Sequence, residues 1–440
     1  MMQLFIAEKP SMATAIASVL GIQKKDKGYY QCSNNTCVTW CFGHLFEQAM
    51  PEDYGIKKWS LKTLPIIPDE WKIKLRDDPG IKAQFKVIKS LFVNASTLIN
   101  AGDPAREGQL LVDEVLDYIG VKKNQNIKRL WLNATDERST QKALKNLREN
   151  SEFKPLKDSA LARARADWLV GINLTRAVTI SARNQVGIDQ VLTLGRVQTP
   201  TLRLVVDRDR AHENFKPVDY FVPTITVRHK NGDFKATWMP GEDVDCLDPN
   251  GRLLDKQYAQ ELIEKANGQE GEIVKSKSTL KNKPPTFPHK LSTLQKETYN
   301  KYNIPIEKTL KIAQGLYEKK MTSYPRTDCQ YLPEEQLSDA PEILSSLQDF
   351  LNIGKDADPS IKSKVWNTKK VVEHHAIIPT GNTGQLSGDE LKIFTIIAKS
   401  YIRQFYPDMK YYAQEIIVLL ANEHWQATGK IVKQKGWTVL

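Results

Sequence analysis

The sequence predicts a multidomain protein of mixed α/β and α+β class. Three observations carry that expectation. The chain has 440 residues, too many for one ordinary core, so two to four domains are expected. Its N-terminal third shows twice over a short apolar run, a polar loop and a helical pattern, the grammar of an α/β sheet. Later stretches turn helical and basic, then β-rich, then α-rich.

Gln3-Leu4-Phe5-Ile6-Ala7 reads as a buried strand and Glu8-Lys9-Pro10 as the loop after it. Ser11 is placed to cap a helix running to about Leu20, with Gly21 as its stop. Val38-Thr39-Trp40 reads as another strand. The run Thr97-Leu98-Ile99-Asn100-Ala101 ends in Gly102-Asp103-Pro104, and the following helix carries Leu111, Val115 and Ile119 up to Gly120. Such sheets hold their chemistry at the carboxyl ends of strands, which puts Glu8 and Asp103 at the rim. From about Ser159 the chain is helical and basic, through Ala162-Arg163-Ala164-Arg165-Ala166-Asp167-Trp168. β-Formers run from Val218 to about Trp238. Lys281-Asn282-Lys283-Pro284-Pro285 is expected to break regular structure at a domain junction, and the stretch from roughly 289 to 405 is α-rich.

Composition narrows the class. Hydrophobic residues make up 40% and charged residues 26%, as in soluble globular proteins. A net charge of +11 favours a polyanionic partner, although weakly on its own. Five cysteines, an odd number without a signal peptide, point to a reducing cytoplasm. Cys32, Cys37 and Cys41 lack the CxxC spacing of a zinc site and read as structural thiols. No stretch approaches the ~20 apolar residues of a membrane span, so no membrane partner is expected.

Two motifs carry chemistry. In Asp103-Pro104-Ala105-Arg106-Glu107-Gly108, Asp103 ends a strand and Glu107 opens a helix, so both carboxylates can converge with Glu8. Clustered carboxylates facing phosphate suit Mg²⁺, which keeps several waters and takes few protein ligands. Taken alone, acids at a helix start can equally well complement its dipole. In Met321-Thr322-Ser323-Tyr324-Pro325-Arg326-Thr327-Asp328, an amphipathic helix from Ile306 to about Lys320 delivers the chain, and Pro325 biases Tyr324 to an extended conformation. A phenol with a pKa near ~10 is a poor nucleophile, so a nearby cation must favour the phenolate. Arg326 and Lys9 are the candidates.

A strand ending in Glu-Lys-Pro, with a later strand ending in an Asp-x-Asp-Arg-Glu-Gly-like segment, resembles the Toprim domain of type IA topoisomerases and some primases. Tyr-Pro-Arg-Thr-Asp resembles the active-site segment of the topoisomerase III group. The resemblance implies Glu8, Asp103 and Glu107 as metal ligands for Mg²⁺, with Ala105 standing where the family has a further aspartate. Charge and an oxygen ligand are lost there, which should weaken Mg²⁺ binding. Leu194-Gly195-Arg196-Val197-Gln198-Thr199-Pro200 resembles the family's backbone-contacting segment, implying DNA contacts for Arg196 and Gln198. Arg163 and Asp167 match positions that hold the single strand. Leu291-Ser292-Thr293-Leu294-Gln295 resembles the start of the tyrosine-bearing domain. Glu373-His374-His375-Ala376-Ile377-Ile378-Pro379 resembles a run whose first histidine, His374, approaches the scissile phosphate.

The implied domains are a Rossmann-like Toprim domain (1–155), the first part of a helical single-strand DNA-binding domain (156–215), the first part of a β-rich arch (216–278), a catalytic tyrosine domain (279–405), and a truncated return into the arch (406–440). The toroid of the family is accordingly expected to be incomplete. The implied activity is transient cleavage of one DNA strand through a 5′-phosphotyrosyl link at Tyr324, passage of another strand, and resealing without ATP. Glu8 is the candidate general acid; Lys9, Arg326 and His374 would clamp the phosphate. DNA, especially single-stranded, is the implied partner, with a helicase as a second. Two rivals stand beside this reading. One is a catalytically impaired single-stranded DNA-binding relative, which Ala105 favours; the other is a primase-like or nuclease-like Toprim enzyme, which leaves Tyr-Pro-Arg unexplained.

Overall fold

The computed structural model describes residues 2–440 apart from Asn124, Ala134, Asp136, Glu242, Asp243, Val372 and Glu373. The chain divides into two compact units. Met1–Val206, Phe287–Ile353 and Lys364–Tyr401 form one; Asp207–Thr286, Gly354–Ser363 and Ile402–Leu440 form the other.

The first unit is built on a seven-stranded sheet. Its strands are β1 (Met2–Ala7), β2 (Ile22–Asp26), β3 (Tyr29–Cys32) and β4 (Thr36–Trp40). A two-stranded ribbon of β5 (Phe46–Gln48) and β6 (Ile73–Leu75) interrupts the sequence before β7 (Ala95–Ala101), β8 (Asn126–Arg129) and β9 (Arg148–Glu149) rejoin the sheet. The spatial order is β2-β3-β4-β1-β7-β8-β9. β1 lies parallel to both β4 and β7, and β7 lies parallel to β8. Helices α1 (Pro10–Leu20), α2 (Pro79–Asn94), α3 (Arg106–Ile119) and α4 (Glu137–Lys145) accompany these strands.

Both faces of β1 are buried, which explains its continuous apolar run. Leu4 and Ile6 join a core with Phe85, Ile88 and Phe92 of α2 and Leu111 and Val115 of α3. Phe5 and Ala7 point the other way, into a core with Met12, Ala13 and Ile16 of α1. Cys32, Cys37 and Cys41 are buried free thiols, and burial raises the pKa of all three. Ser11 is not the cap of α1. Lys9 takes the extended N-cap position without a side-chain bond, and Pro10, with its preset φ, starts the helix.

Two long helices follow, α5 (Lys154–Val186) and α6 (Gln198–Glu213). The second unit contains a five-stranded antiparallel sheet, in which β10 (Thr224–Val227), β11 (Phe234–Met239), β12 (Glu272–Lys283), β13 (Met409–Leu420) and β14 (Glu423–Gln434) run in the order β10-β11-β14-β13-β12. Helix α7 (Lys256–Ala266) covers it through Ala259 and Leu262, against Trp238 and Trp425. The β-former run from Val218 to Trp238 yields only β10 and β11, and Lys281-Asn282-Lys283 do not break structure. They complete β12, whose pairing with β13 satisfies their backbone as far as Lys283; the break comes at Pro284, which has no N–H for a ladder.

The first unit resumes with α8 (Leu291–Tyr302) and α9 (Ile306–Glu318), then α10 (Ala340–Leu351) and α11 (Gly388–Ile402). Among the described residues no helix is long and apolar enough to cross a membrane.

Candidate active site

Because β1 and β7 are parallel neighbours, the loops leaving their carboxyl ends emerge side by side. Asp103 donates its backbone N–H to Glu8 Oε2 at 3.1 Å. Glycine makes this approach possible. A Cβ on Gly102 would lie 2.1 Å from the carbonyl oxygen of Gly108, and one on Gly108 would lie 2.6 Å from Asp103 N. Beneath the loop, fully buried Arg129 donates to the carbonyls of Asn100, Gly102, Leu130 and Asp103 at 2.8–3.0 Å. Burial pulls its pKa down to about 10, so the guanidinium stays charged at neutral pH.

The two acids now share one corner. Burial, then the charge of Asp103, raises the pKa of Glu8. Asp103 Oδ2 accepts from Lys9 Nζ at 3.1 Å, while its buried Oδ1 has no partner.

Tyr324 reaches this corner on a strap that follows α9. Lys320 turns the chain in the left-handed region at φ 61°. Thr322 bridges Pro379, Ser323 N–H donates to Ile378 O at 2.8 Å, and Ser323 Oγ donates to Ala376 O at 3.0 Å. Pro325 follows and disfavours a helical Tyr324. The strap therefore holds Tyr324 by its neighbours and leaves its ring free to face the acids. That ring lies edge-on to Tyr317 at 5.3 Å, 4.5 Å from the His374 ring, and 5.2 Å from Lys9 Nζ. Burial, then Asp103 and Glu8, push the Tyr324 pKa up to about 12, with Arg326 opposing. His374 is pushed down to about 3 by burial, His375 and Lys9. It is neutral at neutral pH and offers hydrogen bonds, not charge; its buried Nδ1 has no partner.

The expected residues are only partly gathered. Glu8, Lys9, Asp103, Tyr324 and His374 form one cluster, and exposed Arg326 stands at its edge. Glu107 does not join the other two acids. It lies 3.7 Å from Arg163, which approaches Asp167 at 3.9 Å, and Asp167 binds Arg196 at 2.6 Å. The packing of α3 against α5 brings Glu107 to Arg163, and among the described residues no three His, Cys, Asp or Glu side chains gather to hold a metal. Gln198 is engaged with Thr193 at 3.3 Å. Glu373 lies outside the described residues. Arg129 and Tyr317 were not foreseen. Arg129 sits in a mixed Lys-Arg-Leu-Trp run, and only Tyr317's place seven residues before Tyr324 hinted at its role.

Fold and site together define a class: a Toprim enzyme whose strand-end acids face a tyrosine on a helical lobe. Family models agree, with a Toprim domain at residues 3–135 and a DNA topoisomerase model at 151–440. DNA topoisomerase 3 of Vibrio cholerae is 41% identical across all of this chain and 70% of its own length. That of Salmonella typhimurium is 41% identical with 69% of its length covered, and that of Staphylococcus aureus is 34% identical with 60% covered. Full-length topoisomerase I of Thermotoga maritima shares the fold, with a TM-score of 0.67 at 21% identity over 99% of this chain and 67% of that one. The chain belongs to the type IA DNA topoisomerases, in the topoisomerase III group.

Proposed function

We propose that this chain breaks and rejoins one strand of DNA through Tyr324, relaxing or decatenating DNA in the cytoplasm beside a helicase partner. The observation that carries the reading is the placement of the Tyr324 ring against Lys9, which is itself bound to Asp103. The phenol oxygen attacks a backbone phosphorus and forms a 5′-phosphotyrosyl bond as the bond to the 3′ oxygen breaks. Glu8, whose pKa is raised by burial and then by Asp103, is the general acid that gives its proton to the departing 3′ oxygen. The phenol proton leaves to solvent. Lys9 and Arg326 carry the charge facing the phosphate, and neutral His374 adds a hydrogen bond. Arg163, Asp167, Arg196 and Gln198 line the approach of the single strand, where backbone contacts make affinity fall with salt. The ester keeps the bond energy, so resealing needs no ATP.

Toprim domains of topoisomerases bind metal. The residues fit a divalent cation: Asp103 Oδ1 is buried without a partner, and the Glu8 carboxyl group lies beside Asp103. Glu8 and Asp103 would hold Mg²⁺, with Glu107 a third ligand only if it leaves Arg163. Such a cation would supply positive charge near the 3′ end for resealing.

The test is to mix the protein with labelled single-stranded DNA and denature it. A covalent adduct that Tyr324→Phe abolishes supports the reading. Strand breaks that persist in that variant sink it, and tight binding without any adduct favours the impaired relative.

A further inference from the structure

Behind the strap that carries Tyr324 lies a cavity of about 500 Å³, lined by Phe287, Arg326, Asp328, Tyr331, Lys370 and His374 among others. We propose that it is a nucleotide subsite for the strand segment that stays attached to Tyr324. The inference rests on the assignment of Tyr324 as nucleophile.

The wall combines the two chemistries that single-stranded DNA requires, aromatic rings for bases and cations for phosphates. Phe287 and Tyr331 meet edge-to-face at 5.2 Å. Lys370 Nζ sits 4.8 Å from the Tyr331 ring centroid and donates to its hydroxyl at 3.2 Å, which fixes a cation beside the ring. Arg326 adds a second positive charge and Asp328 one negative, so these three leave one positive charge in surplus.

The geometry also says which side of the break is held. Attack by Tyr324 leaves the phosphate, and all nucleotides on its 3′ side, bonded to the protein. Arg326, Asp328 and Tyr331 belong to the strap that bears Tyr324, and His374 touches the Tyr324 ring while lining the cavity. A subsite on the nucleophile's own segment travels with it and keeps its grip on the covalent strand. The walls are preformed: Ala376 N–H donates to Tyr331 O at 3.0 Å, and Gln330 Nε2 donates to Pro288 O at 2.9 Å.

Adduct formation by the full chain is measured on two oligonucleotides, one intact and one abasic at the first or second position 3′ of the cleaved bond. The wild-type protein is expected to prefer the intact strand by about 10-fold in kcat/KM, the scale of one stacked base. Tyr331→Leu should cleave both strands equally, at the wild-type rate for the abasic one. Lys370→Gln, at an exposed position, should reduce the preference without disturbing the core. Equal cleavage of both strands by the wild type overturns the subsite, as does full preference retained in either variant. Absence of any wild-type adduct instead overturns the cleavage reading on which the subsite rests.

Discussion

Ala105 occupies the N-cap of α3 with an extended backbone, at φ −147° and ψ 164°, and makes no capping bond. An aspartate there would cap the helix, worth about 1 kcal/mol, but would add a third carboxylate beside Asp103 and Glu8. Ala105→Asp should therefore leave the metal-free melting temperature nearly unchanged while enlarging the rise that Mg²⁺ produces. It should also speed resealing at limiting Mg²⁺. Equal responses of variant and parent to Mg²⁺, read by thermal melts, would show that the missing carboxylate is unimportant. Glu8 makes a second residue-scale prediction. Its raised pKa keeps it protonated to higher pH than an ordinary carboxylate, so its contribution to cleavage is lost as pH rises through that value. Glu8→Gln should lower the cleavage rate by ~10²- to 10⁴-fold and remove that pH step. A step still present in the variant assigns the proton to another group.

Among elements, β1, β7 and α3 were legible because burial on both sheet faces writes an unbroken apolar run, and a half-buried helix writes a period near four. From those three elements the meeting of Glu8 and Asp103 followed. The start of α1 was misread because serine and proline both mark helix starts, and here the proline prevailed. The end of β12, Lys281–Lys283, was misread because its exposed lysines carry no hydrophobic signal; pairing with β13 makes it a strand. The site's supports were invisible for a related reason. Arg129 reads as a surface residue until the fold encloses it with four carbonyls, and the approach of Arg163 to Glu107 depends on the packing of α5 against α3.

On the scale of the first unit, Arg138 of α4 joins the Toprim sheet to the tyrosine lobe, binding Asp339 and, in α10, Glu342, each at 2.7 Å. If passage of a second strand parts that lobe from the sheet, these pairs would act as a latch that has to open. They are largely solvent-exposed and worth about 1 kcal/mol together. Arg138→Ala should shorten the closed-state dwell time several-fold in single-molecule relaxation traces and leave oligonucleotide cleavage unchanged. An unaltered dwell time removes the latch from the gating step. The row of charges from Glu107 through Arg163 and Asp167 to Arg196 bears on binding as a whole. These arginines already have counter-ions, and the counter-ions are built into the protein. A phosphate that arrives there evicts a carboxylate instead of completing a bare cation. The carboxylate it displaces stays tethered and must itself be neutralised by salt. Contacts of this kind would contribute less than one ion each to the slope of affinity against salt, so that slope would undercount any of these arginines that meet the strand.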